Sequence, residues 1–272
     1  MTARQQERAA ARPARPVEVV EAIAYHAIDL YARRTLARAV ELRVEGVERL
    51  PRVGATLIVA HHFHHLYDGL ILLREARRPA HIFVALDWTR TPLQRRGMEL
   101  ACRLARWPAI LRTDAFALRQ GFYDGVSAYR LREAPAMLRA ATRMSLDLLR
   151  AGETLVIFPE AYPVIDPFPT PKAEHPDGEA FLPFAPGFAR LAQLAERDGR
   201  TQVSIIPTGL VYERLATARP QWRVTLRFGE PTSIAARATP AEVAALVAQV
   251  EQTTRALSAP ISPTRSARSQ TI

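Results

Sequence analysis

The sequence predicts an α/β protein with a mostly parallel sheet flanked by helices. Three observations predict it. Short apolar runs of strand length recur at residues 56–60, 81–86, 154–158 and 203–207. Segments with helical periodicity separate them. Several of the runs stop abruptly at polar residues, as strands do at the carboxyl edge of an open sheet, where such folds place their sites.

The 272 residues suit one large domain, and 48% apolar residues can build a sizeable core. Residues 1–16 are polar, basic and proline-containing, and residues 258–272 are rich in Ser, Thr, Arg and Pro; both read as disordered tails around a single domain at 17–257. No run approaches the roughly 18–20 apolar residues of a membrane span, and the Arg- and Ala-rich start lacks the apolar core of a signal peptide. A single cysteine, Cys102, excludes an internal disulfide and points to a cytoplasmic, reducing compartment. The net charge of +10 favours an anionic partner: a phospholipid surface, nucleic acid or a phosphate-bearing substrate. Nucleic acid is set aside, because zinc-finger spacing, a helix-turn-helix signature and a stacking motif are all missing.

Residues 17–44 carry Val20, Ile23, Ala27, Leu30 and Tyr31 at helical spacing. This helix suits either core packing or a membrane surface. Residues 44–50 read as a short strand and 51–54 as a turn. The strand at 56–60 leads into a helix over 70–75, and a second strand spans 81–86. A helix at 92–104 precedes a short strand at 109–111. Residues 115–133 are ambiguous, with Gly121 and Gly125 favouring a loop. A helix at 135–150 is stopped by Gly152. The strand at 154–158 opens a long loop, 161–186, with seven prolines; a loop of that length is expected to be a lid or a binding loop. A helix at 187–197, strands at 203–207 and 222–228, and an amphipathic helix at 240–257 complete the chain.

Four of the seven histidines, His61, His62, His64 and His65, fall in the turn after 56–60, followed by Asp68 and Gly69. Two further strand ends are polar: Arg112–Asp114 and Pro159–Glu160. Together they offer a base with an orienting carboxylate, a cation and a second acid. An imidazole accepts a proton near neutral pH, and a carboxylate beside it holds the tautomer and stabilises the imidazolium. An Arg at a strand end suits a phosphate. Asp68 also suits a helix cap. The stretch His62-x-His64-His65 is part of a zinc-hydrolase pattern, but Leu66 stands where its Asp belongs, and His81 and His175 are the remaining downstream histidines. His64-His65-Leu66-Tyr67-Asp68-Gly69 is one residue short of the His-His-x-x-x-Asp-Gly pattern of condensation-type acyltransferases.

The order of blocks resembles the glycerolipid acyltransferases, the lysophosphatidic acid acyltransferase family. Val44-Glu45-Gly46-Val47-Glu48-Arg49-Leu50-Pro51 and Leu57-Ile58-Val59-Ala60-His61-His62 are similar to its opening strand and strand end. Ile110-Leu111-Arg112 is similar to its second block. Gly152-Glu153-Thr154-Leu155-Val156-Ile157-Phe158-Pro159-Glu160-Ala161 resembles its third, and Ile206-Pro207-Thr208-Gly209-Leu210 its fourth. Phe228-Gly229-Glu230-Pro231 resembles its closing Gly-Glu-Pro. The family places four residues between His and Asp. Here His62 is followed by five and His64 by three before Asp68, so both are candidate bases. Ala161-Tyr162-Pro163 replaces the family's Gly-Thr-Arg, so its phosphate-binding Arg is missing; Lys172 is a candidate substitute.

The resemblance implies a glycerol-3-phosphate acyltransferase-like fold. It implies transfer of a fatty acyl group from acyl-CoA or acyl carrier protein to a hydroxyl of a lysophospholipid or glycerol-type acceptor. His62 would be the base, because the strand end fixes its place and an extra loop residue can bulge, with His64 as the alternative; Asp68 would be its orienter, and Phe158, Pro159, Arg112 and Glu160 the acceptor-binding residues. No metal or cofactor is implied. The expected setting is the cytoplasmic face of the inner membrane, held peripherally by an anionic surface. The rival readings are a non-catalytic basic membrane-binding module of the same fold and a metal-dependent hydrolase.

Overall fold

The structure, a computed structural model, describes residues 16–117, 127–167, 181–217 and 219–260. The expected tails therefore fall largely outside the described residues, as do Gly121, Gly125, Lys172, His175 and the centre of the proline-rich loop.

Helix α1 spans Pro16–Ala39 and passes directly into strand β1, Val40–Glu45. The expected helix to residue 44 and strand at 44–50 are corrected here, and residues Val47–Arg49 form a 3-10 turn. The reason is a distant partner. Strand β8, Trp222–Phe228, runs parallel to β1 with Val40 opposite Trp222 and Glu45 opposite Arg227. Arg223 and Arg227 pair with Glu41 and Glu45 across this ladder. Local periodicity carries no trace of a neighbour so far along the chain.

Strand β2, Ala55–Ala60, is buried at every residue. It feeds α2, Tyr67–Glu75. The expected strand at 81–86 is two shorter ones, β3 at Ala80–Ile82 and β4 at Val84–Ala85. Helix α3, Pro92–Leu104, starts on a capping box in which Thr91 and Gln94 satisfy each other's backbone N–H groups. Strand β5, Ala109–Ile110, pairs with β4 and leads into α4, Thr113–Ala117. Helix α5, Ala134–Arg150, strand β6, Thr154–Ile157, and helix α6, Gly187–Glu196, follow. Strand β7 runs from Val203 to Arg214, well past the expected end at Pro207. Helix α7, Pro240–Ser258, closes the fold on a second capping box at Thr239 and Glu242.

The main sheet has the order β1-β8-β7-β2-β6-β3. Every pair is parallel except β7 with β8. This is the expected mostly parallel sheet flanked by helices. Alternation along β2 sends Leu57 and Val59 to one face and Ile58 and Ala60 to the other. Ile58 and Ala60 join Leu36 of α1, Ile71 of α2 and Leu226 in one core layer. Leu57 and Val59 join Leu148 of α5, Phe188 of α6 and Val250 of α7 in the other. Burial on both faces explains why β2, β6 and the first half of β7 read as near-continuous apolar runs. Among the described residues no helix is long and apolar enough to cross a membrane.

At one point helix and sheet touch backbone to backbone. A Cβ on Gly209 of β7 would stand 2.4 Å from the main-chain carbon of Leu257 in α7. Gly209→Ala is therefore expected to force α7 off the sheet at a cost of about 1–3 kcal/mol. The denaturant midpoint of the variant against wild type measures it, and an unchanged midpoint would contradict the close approach.

Candidate active site

Strand β2 sits between β7 and β6. Its carboxyl end delivers His61 and His62 into the middle of the sheet's edge. The chain then turns through 63–66 and enters α2, whose first turn carries Asp68. Asp68 is fully buried. Its Oδ2 accepts the backbone N–H of Phe63 at 2.6 Å, the backbone N–H of His64 at 2.8 Å and Nδ1–H of His62 at 3.0 Å. Its Oδ1 accepts the Tyr212 hydroxyl of β7 at 2.5 Å. The turn thus folds around the carboxylate, which absorbs the extra residue between His62 and Asp68.

The contact fixes the tautomer of His62. A carboxylate on Nδ1 places the proton there and makes Nε2 the lone-pair nitrogen. The His62 side chain is 13% exposed and stacks on Phe158 with ring centroids 4.1 Å apart.

His64 has a different place. Its Nδ1 accepts from the backbone N–H of Leu66 and of Tyr67 at 3.3 and 3.4 Å, so the ring caps the start of α2. Burial, with His65 alongside, pushes its pKa down to about 4. It is a neutral acceptor at ordinary pH, and Asp68 meets it through its backbone N–H. His65 is exposed, with Nδ1 at 3.3 Å from the Ile165 carbonyl.

His61 forms a second buried imidazole–carboxylate pair, Nδ1 to Glu160 Oε1 at 2.7 Å. The same Oε1 accepts the backbone N–H of His62 at 3.0 Å, and Oε2 accepts that of Leu182 at 2.9 Å. Phe181 stacks on His61 at 3.9 Å. Glu160 thereby ties three segments together. The chain after it runs alongside the histidine turn: Val164 N–H donates to the His62 carbonyl, and Ile165 N–H to that of Phe63 at 2.7 Å.

Arg112 follows β5 and is buried. Its Nη2 and Nε reach the Asp87 carboxylate at 2.7 and 3.1 Å, and Nη1 donates to the Ala161 carbonyl at 3.0 Å. The guanidinium lies 4.2 Å above the Tyr162 ring, whose hydroxyl donates to Asp114 at 2.7 Å. Burial raises the pKa of the Tyr162 phenol, so it stays a donor. Tyr162 stands close to where the resemblance has its phosphate-binding Arg. Pro159 is buried, and its carbonyl accepts Ala185 N–H at 3.2 Å.

The structure therefore brings His62, Asp68, Phe158 and Glu160 together and links Arg112 to them through Ala161. Sequence reasoning missed Tyr212 and Asp87. Asp87 had a local signal, as the first polar residue after an apolar run; Tyr212 had none, lying beyond the expected end of its strand. Among the described residues no three His, Cys, Asp or Glu side chains are grouped as a metal ion would need.

Two outcomes test this local chemistry. For His64, the unfolded chain binds a proton between pH 6.5 and 4 where the folded chain does not. Its stabilising contribution is present above about 6.5 and lost as pH falls towards 4. Wild type should lose on the order of 2 kcal/mol more than His64→Gln across that window, read from denaturant midpoints at each pH. Ala161, where the family has Gly, holds φ at +65°. Ala161→Gly relieves that strain and is expected to stabilise the fold by about 0.5–1 kcal/mol, read from thermal unfolding.

Comparison with known proteins bears on the family and the fold. The family model described as Acyltransferase matches residues 41–211. Among solved structures, the chain is similar to the crystal structure of the 1-acyl-sn-glycerophosphate (LPA) acyltransferase PlsC from Thermotoga maritima. The TM-score is 0.54 at 17% identity, over 92% of this chain and 86% of that one. Among curated proteins there is no significant match. The matched segment runs from the first strand through the histidine turn, Glu160 and most of β7, and on that ground the chain belongs to the acyltransferase family.

Proposed function

We propose that the protein transfers a fatty acyl group from an acyl thioester, acyl-CoA or acyl carrier protein, to a hydroxyl of a lysophospholipid or glycerol-type acceptor. One observation carries the reading: His62 Nδ1 on the buried Asp68 carboxylate, at the end of the central strand of an acyltransferase-family sheet. In the first step Nε2 of His62 takes the acceptor's hydroxyl proton as the oxygen attacks the thioester carbonyl. Asp68 keeps the ring in the tautomer that makes Nε2 basic and stabilises the imidazolium that forms. In the second step the C–S bond breaks, and the imidazolium returns its proton to the departing thiolate. The products are an ester and a free thiol, and atoms and charge balance without a cofactor.

Of the two candidate bases, His62 is favoured by its carboxylate partner. His64 is disfavoured because its Nδ1 lone pair is committed to two backbone N–H groups and its pKa is near 4. Phe158 forms a wall against the base. Glu160 and Arg112, expected on the acceptor, are better read as braces one layer back, through His61, Leu182, Asp87 and Ala161. Peripheral attachment at the cytoplasmic face of the inner membrane is part of this reading. The net charge of +10 supports it, as do the exposed Ile23, Leu30 and Tyr31 of α1.

The test is thiol release from long-chain acyl-CoA and acyl carrier protein, with a panel of lysolipids and glycerol-type acceptors. Acceptor-dependent release is expected. His62→Ala and Asp68→Ala should lower kcat by about 10²–10⁴-fold. His64→Gln should stay within about tenfold of wild type, as for a residue outside the proton transfer. Failure of every donor would sink the reading; loss with His64→Gln alone would move the base.

A further inference from the structure

Asp68 has two oxygens with different neighbours. Oδ2 is bound by the turn that contains His62, whereas Oδ1 is bound by Tyr212, which lies 144 residues away on β7. From this arrangement we infer that Tyr212 is a positioning residue for the acyltransferase reaction, acting on His62 through Asp68. Its hydroxyl fixes the rotation of the carboxylate and moderates the pull of that carboxylate on the imidazolium.

The physical argument has three parts. A carboxylate held on one oxygen by donors from a single turn can still swing about its Cβ–Cγ bond. A donor on the other oxygen from the opposite side stops the swing, and the His62 ring is fixed with it. Next, Asp68 is fully buried, so bulk water does not dampen what its hydrogen bonds do to its charge. Each donor draws electron density from the carboxylate and weakens its stabilisation of the imidazolium. Finally, the phenol is held in place. Phe63 stacks on Tyr212 at 4.4 Å, and Trp222 of β8 meets it edge-on at 5.6 Å. Burial and the nearby Asp68 raise the Tyr212 pKa well above its ordinary value, so the hydroxyl is protonated and donating.

Among the described residues, the ionisable groups that face this pair come from four places. Tyr212 comes from β7, while His64 and Tyr67 come from the turn and first residue of α2. Glu160 touches His62 through the backbone N–H from the loop after β6, and His61 sits beyond it. Tyr212 alone among them donates a hydroxyl to the Asp68 carboxylate among the described residues.

The kinetic meaning of the inference rests on the proposed reaction, but its electrostatic core does not, and the experiment separates them. Tyr212→Phe keeps the ring and its stacking and removes the donor. Histidine ring signals of the full chain are titrated by NMR, with His62 assigned through its loss in His62→Gln. The His62 pKa should rise by about half a unit to one unit in Tyr212→Phe, because Asp68 then holds the proton on the ring more strongly. A fluorotyrosine at position 212 keeps the contact with a more acidic donor, and should move the same pKa downward. In the thiol-release assay Tyr212→Phe should lower kcat about tenfold at constant KM, and shift the acid limb of kcat/KM upward with the pKa. A His62 that titrates alike in all three proteins overturns the inference whatever the activity, since packing alone would leave that titration unmoved. A shifted pKa in a protein without any acyl transfer would sink the proposed reaction and leave the Tyr212–Asp68–His62 coupling supported.

Discussion

The site depends on one buried charge. Removing a carboxylate from water is costly unless its lone pairs are met by donors. Asp68 meets that condition with two backbone N–H groups, an imidazole and a phenol. These donors come from the histidine turn and from β7. Solvating the carboxylate internally therefore also sets the turn's path, the entry of α2 and the distance between β2 and the far half of β7. The unusual spacing between His62 and Asp68 becomes intelligible in the same terms. The turn does not have to match a template length, because its own backbone N–H groups are ligands of the carboxylate and the slack is taken up in wrapping it.

Four histidines within five residues look alike in a sequence and differ in their surroundings. His61 is buried against a carboxylate, and His62 is half-buried against another. His64 is a neutral cap on a helix, and His65 is exposed at the rim. The division follows from geometry. Residues 61 and 62 still belong to the strand direction and point to opposite sides, while 64 and 65 already belong to the turn, where His64 accepts the open N–H groups of α2 and His65 meets the Ile165 carbonyl. Arg112 shows the same contrast. Its charge would suit an anion, but Asp87, in the turn after the neighbouring short strand β4, takes up its Nε and Nη2.

Much of this was legible in the sequence. The strands at β2, β6 and β8, the helices α3, α5 and α7, and the parallel character of the sheet follow from apolar runs and capping residues, which are local signals. The pairing of His62 with Asp68 was legible down to a choice between two registers. What was not legible is non-local. Strand β1 was hidden inside an extended helical pattern, because the residues that make it a strand lie in β8. Strand β7 was cut at Pro207, although the proline falls just before the β8 ladder begins at Thr208 and is tolerated there. Tyr212 was lost with that shortened strand. Glu160 and Arg112 were found as residues, but their partners could not be read, because His61, Asp87 and Leu182 come from other turns brought together only by the sheet order.

The parallel ladder between β1 and β8 also bears on where this domain can be divided. The matched family segment ends at residue 211, within β7, yet the strand that pairs with β1 begins at 222. A segment cut at the family boundary would carry β1 with its hydrogen-bonding edge open, and half of β7 with no antiparallel neighbour. Such unpaired edges are templates for joining other chains. The smallest unit that closes its own sheet is thus longer than the segment by which the family is recognised. Its first strand, whose neighbour in the sheet is β8, finds that partner only across some 180 residues, a long loop closure that places assembly of this edge late in folding.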